Sequence, residues 1–225
     1  MSVTDFEAAR ENMVNCQVRP TDVTDYALLE AMFATPRERF VPSARRFAAY
    51  TDEDVDVSAA ATGEGPRFLA EASPFAKLVQ LAAIEPGETV LDVGCGTGYS
   101  TAIIAQLCGS VIAVESDPGL VAFAGEALSE LGIDNAAVIE GDPTAGYPKE
   151  APYDAVVIEG AVEFVPDALT DQLRDGGRLV AVVGTGQAAR ARVFVRENGV
   201  VSSRPEFNAA LPPLPGFQRE PGFVF

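Results

Sequence analysis

Residues 91–100, LDVGCGTGYS, form an apolar run that breaks into three glycines, Gly94, Gly96 and Gly98, each separated from the next by one residue. With Thr89 and Val90 the run reads as a short buried strand, and YSTAIIAQL (99–107) reads as a helix. A strand that passes through glycines into a helix lets a ligand approach the backbone closely at the carboxyl end of a sheet.

Outward from this loop, strand and helix alternate. SVIAVE (110–115) is a strand, and DPGLVAFAGEALSELG (117–132) is a helix with Asp117 as N-cap, Pro118 at its first position and Gly132 beyond its end. AAVIEGD (136–142), YDAVVIEG (153–160) and GRLVAVVG (177–184) supply three more strands. RARVFVRENGVVSSRP (190–205) predicts a hairpin across Asn198-Gly199. The fold class is therefore α/β, a doubly wound and mostly parallel sheet. On the amino-terminal side, SPFAKLVQLAAI (73–84) is a helix ending in the turn EPGE, and VTDYALLEAMFATP (23–36) is a helix stopped by Pro36. The expected organisation is a helical cap over 1–60, part of the same domain as a ligand-binding core over 61–225, with an irregular stretch, SAAATGEGP (58–66), near the join.

Composition excludes several functions. The chain of 225 residues carries 16 basic and 33 acidic residues, a net −17, and residues 51–150 alone hold 3 basic and 17 acidic ones. A nucleic-acid groove should be basic, so DNA and RNA are not expected partners. The absence of histidine removes Ser-His-Asp and Cys-His catalysis and most zinc sites. Cys16, Cys95 and Cys108 fall at no metal or disulfide spacing, and MSVTDFEAAR at the start has no apolar signal core. With no apolar run near the ~20 residues of a membrane span, a cytoplasmic location is expected.

Three ligand classes could use the loop. A phosphate loop needs a Lys-Ser/Thr pair after its last glycine, and Tyr99-Ser100 stand there instead. A dinucleotide loop reads G-x-G-x-x-G, and Asp92 would repel its pyrophosphate. The same carboxylate attracts the ammonium of S-adenosyl-L-methionine, by about 4 kcal/mol at ~4 Å and an effective dielectric of ~20 before solvent screening. Glu115 ends the next strand, where a carboxylate can accept both ribose hydroxyls. Asp142 ends the third strand, either as a contact to the adenine edge or as a common strand-end cap. Cys95 needs no chemistry, being a small residue in a tight loop. The expected cofactor contacts are Asp92, Gly94, Cys95, Gly96, Thr97, Gly98, Glu115, Ser116, Gly141 and Asp142.

The segments VLDVGCGTGYSTA (90–102), VIAVE (111–115), IEGDPTAGYPKEAPYDAVVI (139–158) and VPDALTDQLRDGGRLVAVVG (165–184) resemble the motifs of class I methyltransferases. With LLEAMFATPRERFVPSARRFAAYTDEDVDV (28–57), the chain is similar to the protein-L-isoaspartate O-methyltransferases over most of 10–200. The resemblance implies a seven-stranded sheet with a reversed strand at one edge. It also implies methyl transfer from S-adenosyl-L-methionine to a carboxylate of damaged, isoaspartyl protein, a repair reaction with a protein or peptide partner.

Two departures bear on the acceptor. Where the family has Gly-Gln-Thr-Ile-Ser-x-Pro, this chain has PRFLAEA (66–72), with Ala70 in place of the serine. Ser73 is a candidate catalytic substitute, or else the cap of a helix starting at Pro74. After the fourth strand comes EGAVE, which makes Glu159 the second candidate catalytic residue, near the methyl donor. A charge there favours an amine, hydroxyl or cationic acceptor, unless the acid faces solvent or the cofactor's ammonium. Methylation of a small molecule or another protein side chain, and a non-catalytic cofactor-binding or interaction module, are the alternatives. A nicotinamide oxidoreductase is disfavoured by Asp92. The tail FNAALPPLPGFQREPGFVF (207–225) has the Pro and aromatic residues of a segment that covers a cleft or an interface.

Overall fold

The structure is a computed structural model that describes residues 5–219, so the first four residues and the last six of the tail lie outside it. Helix α1 (Phe6–Asn12) continues into a wider π-helical turn, Met13–Val18, and α2 is Tyr26–Ala34. The side chain of Asp25 accepts from the Ala27 and Leu28 N–H groups and starts α2, while Thr35 ahead of Pro36 turns extended and ends it. A two-residue ladder, β1 (Val55–Asp56) with β2 (Phe68–Leu69), leads into α3 (Ala72–Ala82).

The core then runs β3 (Thr89–Val93), α4 (Tyr99–Ala105), β4 (Ser110–Glu115), α5 (Pro118–Glu130), β5 (Ala136–Glu140), β6 (Tyr153–Val162), the one-turn helix α6 (Asp167–Thr170), β7 (Leu173–Val183), β8 (Arg190–Glu197) and β9 (Val200–Asn208). The seven-stranded sheet has the order β5-β4-β3-β6-β7-β8-β9. The first five strands in that order are parallel; β8 is antiparallel to β7, and β9 is antiparallel to β8. The reversed strand therefore lies one place in from the edge, not at the edge as the resemblance implies. The physical cause is the two-residue turn at Asn198 (φ 51°) and Gly199 (φ 77°), which folds β9 back along the outer side of β8.

The central strands are apolar on both faces because both are covered. On one face Val90 and Val157 join Ala102, Ile103, Phe75 and Leu78 of α3 and α4, and Met13, Val14, Val18 and Leu28 from the amino-terminal segment belong to the same apolar cluster. Among the described residues the opposite face of Leu91, Val93, Val156 and Ile158 has only α6 for a helix, and Leu214 and Phe217 of the tail complete its cover. The tail is held there by backbone bonds: Ala161 N–H to Pro212 C=O (2.8 Å), Leu214 N–H to Ala161 C=O (2.9 Å) and Glu163 N–H to Phe217 C=O (3.1 Å). No helix among the described residues is long and apolar enough to cross a membrane.

Candidate active site

The strand order reverses between β3 and β6, since β4 lies on one side of β3 and β6 on the other. A crevice opens beyond the carboxyl ends of strands at such a point. Its inner chamber is lined by Phe68, Ala70, Phe75, Gly96, Tyr99 and Glu159 among others. It continues into an outer chamber, where Arg67 and Pro212–Pro215 join the wall. A further recess lies beside Thr62, Gly63, Arg67, Ser116 and Asp117.

The glycines of the loop do different jobs. A Cβ on Gly94 would stand 2.5 Å from Leu214 Cδ1, and one on Gly98 would stand 2.9 Å from Ala124 Cβ in α5. Gly96, with φ 56°, faces open space. Gly94 and Gly96 both line the cleft, and of the three glycines only Gly96 has open space beside it.

Asp92 is fully buried, and its Oδ2 accepts from Ser100 Oγ (2.8 Å) and Thr101 Oγ1 (2.7 Å) in the first turn of α4. Its Oδ1 has no partner among the described residues. Burial raises this carboxyl above the usual carboxylate range, the two hydroxyls oppose the rise, and the negative charge of Glu115 adds to it. The hydroxyls that follow the last glycine thus serve the acid. That role is readable in GYSTA, where they stand at helical reach of the strand end.

Glu115 is also fully buried. Its Oε1 accepts from the N–H groups of Ser116 (2.8 Å) and Asp117 (3.0 Å), and its Oε2 accepts from Gly96 N–H (3.0 Å) and Arg67 Nη2 (2.6 Å). Arg67, which no motif signalled, reaches it across 48 residues of chain.

Glu159 lines both chambers. Its Oε1 is buried and has no hydrogen-bond partner among the described residues. Burial, and then the charge of Asp92, push this carboxyl well above the ordinary range for glutamate. Thr97 Oγ1 and Tyr99 Oη are likewise buried without partners. Burial and the charges of Asp92 and Glu115 push the Cys95 thiol up, so it stays neutral.

The remaining expected residues stand apart from the inner chamber. Ser73 donates its hydroxyl to Thr21 Oγ1 (3.0 Å) and does not face the cleft. Nor does it cap a helix at Pro74, because α3 begins at Ala72, with Glu71 at the cap position, and Ser73 lies inside the first turn. Asp142 is exposed and accepts from Thr144 N–H (2.8 Å) and Thr144 Oγ1 (2.7 Å), a turn of its own. Gly141 N–H extends the ladder to Glu115 C=O (3.0 Å).

A doubly wound sheet of this order, with an acid-flanked glycine loop at its switch point, defines a class I methyltransferase. The sequence pattern of protein-L-isoaspartate(D-aspartate) O-methyltransferase matches residues 9–215, and the chain belongs to that family. It is 37% identical over 203 residues to protein-L-isoaspartate O-methyltransferase 1 of Rhodopseudomonas palustris, covering 90% of this chain and 80% of that one. It is 36% identical over 207 residues to the Methanoculleus marisnigri protein-L-isoaspartate O-methyltransferase, covering 92% and 91%. Among solved structures, one protein-L-isoaspartate O-methyltransferase superposes with a TM-score of 0.80 at 24% identity, over 92% of this chain and 66% of that one. A Plasmodium falciparum structure described as a protein-L-isoaspartate O-methyltransferase in complex with S-adenosyl-L-homocysteine gives 0.74 at 20%, over 94% and 99%.

Proposed function

We propose that this chain methylates the free carboxylate of isoaspartyl residues in proteins, with S-adenosyl-L-methionine as methyl donor. The observation that carries the reading is the buried, unpartnered oxygen of Asp92 at the end of β3, with the bare backbone of Gly96 in the loop that follows, within a chain of this family. That Asp92 Oδ1 lacks a partner supports reading it as the acceptor for the donor's ammonium. Glu115 is the residue to hold the ribose hydroxyls, next to the Arg67 that bonds its Oε2. Thr97 Oγ1 and the backbone of Gly94 to Gly98 complete the cradle, and Ser116 borders the recess beyond. Gly141 and Asp142 stand further out and act through the backbone and the turn they stabilise.

The chemistry asks little of the protein beyond placement. An isoaspartyl carboxyl has a reference pKa of about 3.9 and is ionised at neutral pH, so an oxygen lone pair forms the new O–CH₃ bond while the S–CH₃ electron pair returns to sulfur. No general base is needed, which suits a chain without histidine. Orientation supplies the rate, up to roughly 7–11 kcal/mol of barrier. Three free cysteines support a cytoplasmic setting, and the shared apolar cluster supports reading 1–60 and 61–225 as cap and core of one domain.

The test is transfer of a labelled methyl group to an isoaspartyl peptide and to the aspartyl peptide of the same sequence, with calorimetry for S-adenosyl-L-homocysteine and NAD. The expected result is base-labile label on the isoaspartyl peptide alone, and binding of S-adenosyl-L-homocysteine but not NAD. Label that never reaches the isoaspartyl peptide, from protein that binds S-adenosyl-L-homocysteine, overturns the acceptor.

A further inference from the structure

The inner chamber sets an electrostatic problem for an anionic acceptor. Among the described residues that line it there is no lysine or arginine, and Phe68, Leu69, Ala70 and Phe75 make one wall wholly apolar. Glu159 lines the same chamber, where the charge of Asp92 on β3 acts on it, and the charge of Glu115 at the end of β4 acts on Asp92 in turn. Arg67, the nearest cation in the outer chamber, is committed to Glu115. An ionised Glu159 in the lining would repel an acceptor carboxylate by a few kcal/mol, at ~4–6 Å and an effective dielectric of ~20.

Resting on the isoaspartyl reading above, we propose that the Glu159 carboxyl works in its protonated form and donates a hydrogen bond to the acceptor carboxylate, positioning it in the inner chamber. Glu159 is thus a substrate-positioning residue for the methyl transfer, not a base. The geometry separates the two neighbouring acids. Asp92 has two hydroxyl donors to stabilise its charge, whereas Glu159 Oε1 is enclosed with no donor at all. A proton held by the pair therefore resides on Glu159. The other titratable groups facing it agree: Glu115 is saturated with donors, and Cys95 and Tyr99 are buried and neutral. The Pro212–Pro215 segment that closes the outer side brings no charge. A neutral acid facing an anion gives an O–H···O⁻ bond, one of the stronger kinds, and a carboxylate in its place would repel the substrate.

The experiment is kcat/KM for an isoaspartyl peptide from pH 5 to 9 in wild type, Glu159→Gln and Glu159→Ala, with calorimetry of S-adenosyl-L-homocysteine, and of the peptide in its presence, across the same range. Wild-type kcat/KM should fall as pH rises, approaching tenfold per pH unit once Glu159 ionises. Peptide affinity should fall with it, and S-adenosyl-L-homocysteine affinity should stay level. Glu159→Gln keeps a donor that cannot ionise, so it should stay within about threefold of wild type in acid and lose the decline at high pH. Glu159→Ala should lose at least about tenfold in acid, chiefly through KM, while still binding S-adenosyl-L-homocysteine. A Glu159→Gln profile that tracks wild type, or Glu159→Ala equal to wild type at pH 6, overturns the proposal. So does a tenfold loss of S-adenosyl-L-homocysteine affinity in Glu159→Gln, which would put the Glu159 charge on the cofactor. Absence of isoaspartyl turnover by wild type at every pH, with S-adenosyl-L-homocysteine still bound, overturns the acceptor reading itself and this proposal with it.

Discussion

Gly94, Gly96 and Gly98 are equivalent in the pattern of the loop, yet each answers to a different neighbour. Gly94 makes room for Leu214 and Gly98 for Ala124, so a side chain at either would move an element, whereas one at Gly96 would enter the cleft. Gly96→Val is the informative change. A β-branched residue at φ 56° is strained by roughly 1–3 kcal/mol, which a domain of this size tolerates. The variant should unfold cooperatively, yet bind S-adenosyl-L-homocysteine at least about a hundredfold more weakly by calorimetry. Near-normal binding in the folded variant would place the ligand away from this loop.

At the scale of elements, the loop before β2 is tied to the start of α5 by one side chain. Asp117 accepts from Gly119 and Leu120 of its own helix and from Thr62 and Gly63 of the loop, at 2.6–3.1 Å. Burial alone would raise this carboxyl, but the backbone donors of Thr62, Gly63, Leu120 and Gly119 more than offset it and hold it at about 2. With an unfolded value near 3.9, the folded form is depressed, so its stabilisation is complete above about pH 4 and is lost as pH falls towards 2. Urea midpoints measured from pH 6 down to 2 should fall more steeply in wild type than in Asp117→Asn, whose side chain cannot take up the proton. Parallel curves would mean that other carboxylates govern acid unfolding.

For the whole molecule, the dominant quantity is charge. A net −17 on 225 residues repels itself in the folded state, and much of it lies between residues 51 and 150. The ion pairs among the described residues are scattered, with one cluster where Arg178 forks onto Glu88 and Arg174 bridges to Asp154. Screening shortens from about 10 Å at 0.1 M salt to about 3 Å at 1 M. The thermal midpoint should therefore rise by several degrees between 0.05 and 1 M potassium chloride, at those roughly chosen limits. A flat or falling midpoint would show that ion pairs outweigh the general repulsion.

What the sequence determined by itself was whatever depends on near neighbours. The strand 110–115, the Asp117 cap with Pro118 behind it, the Asn198-Gly199 turn and the stop before Pro36 all follow from period, cap and turn chemistry within a few residues. Asp92, Gly96 and Glu115 were legible because the glycine loop and the strand ends carry their own spacing. Tertiary structure alone decided which groups meet across the cleft. Arg67 satisfies Glu115 from 48 residues away, Ser73 turns to Thr21 from 52 residues away, and Leu214 seats on Gly94 because the tail, lacking helices to displace, covers the second face of the sheet. These pairings are set by strand order and by which apolar face is left to bury. No local pattern encodes them, and the state of Glu159 follows from them, since a carboxyl's charge is decided by the groups packed around it.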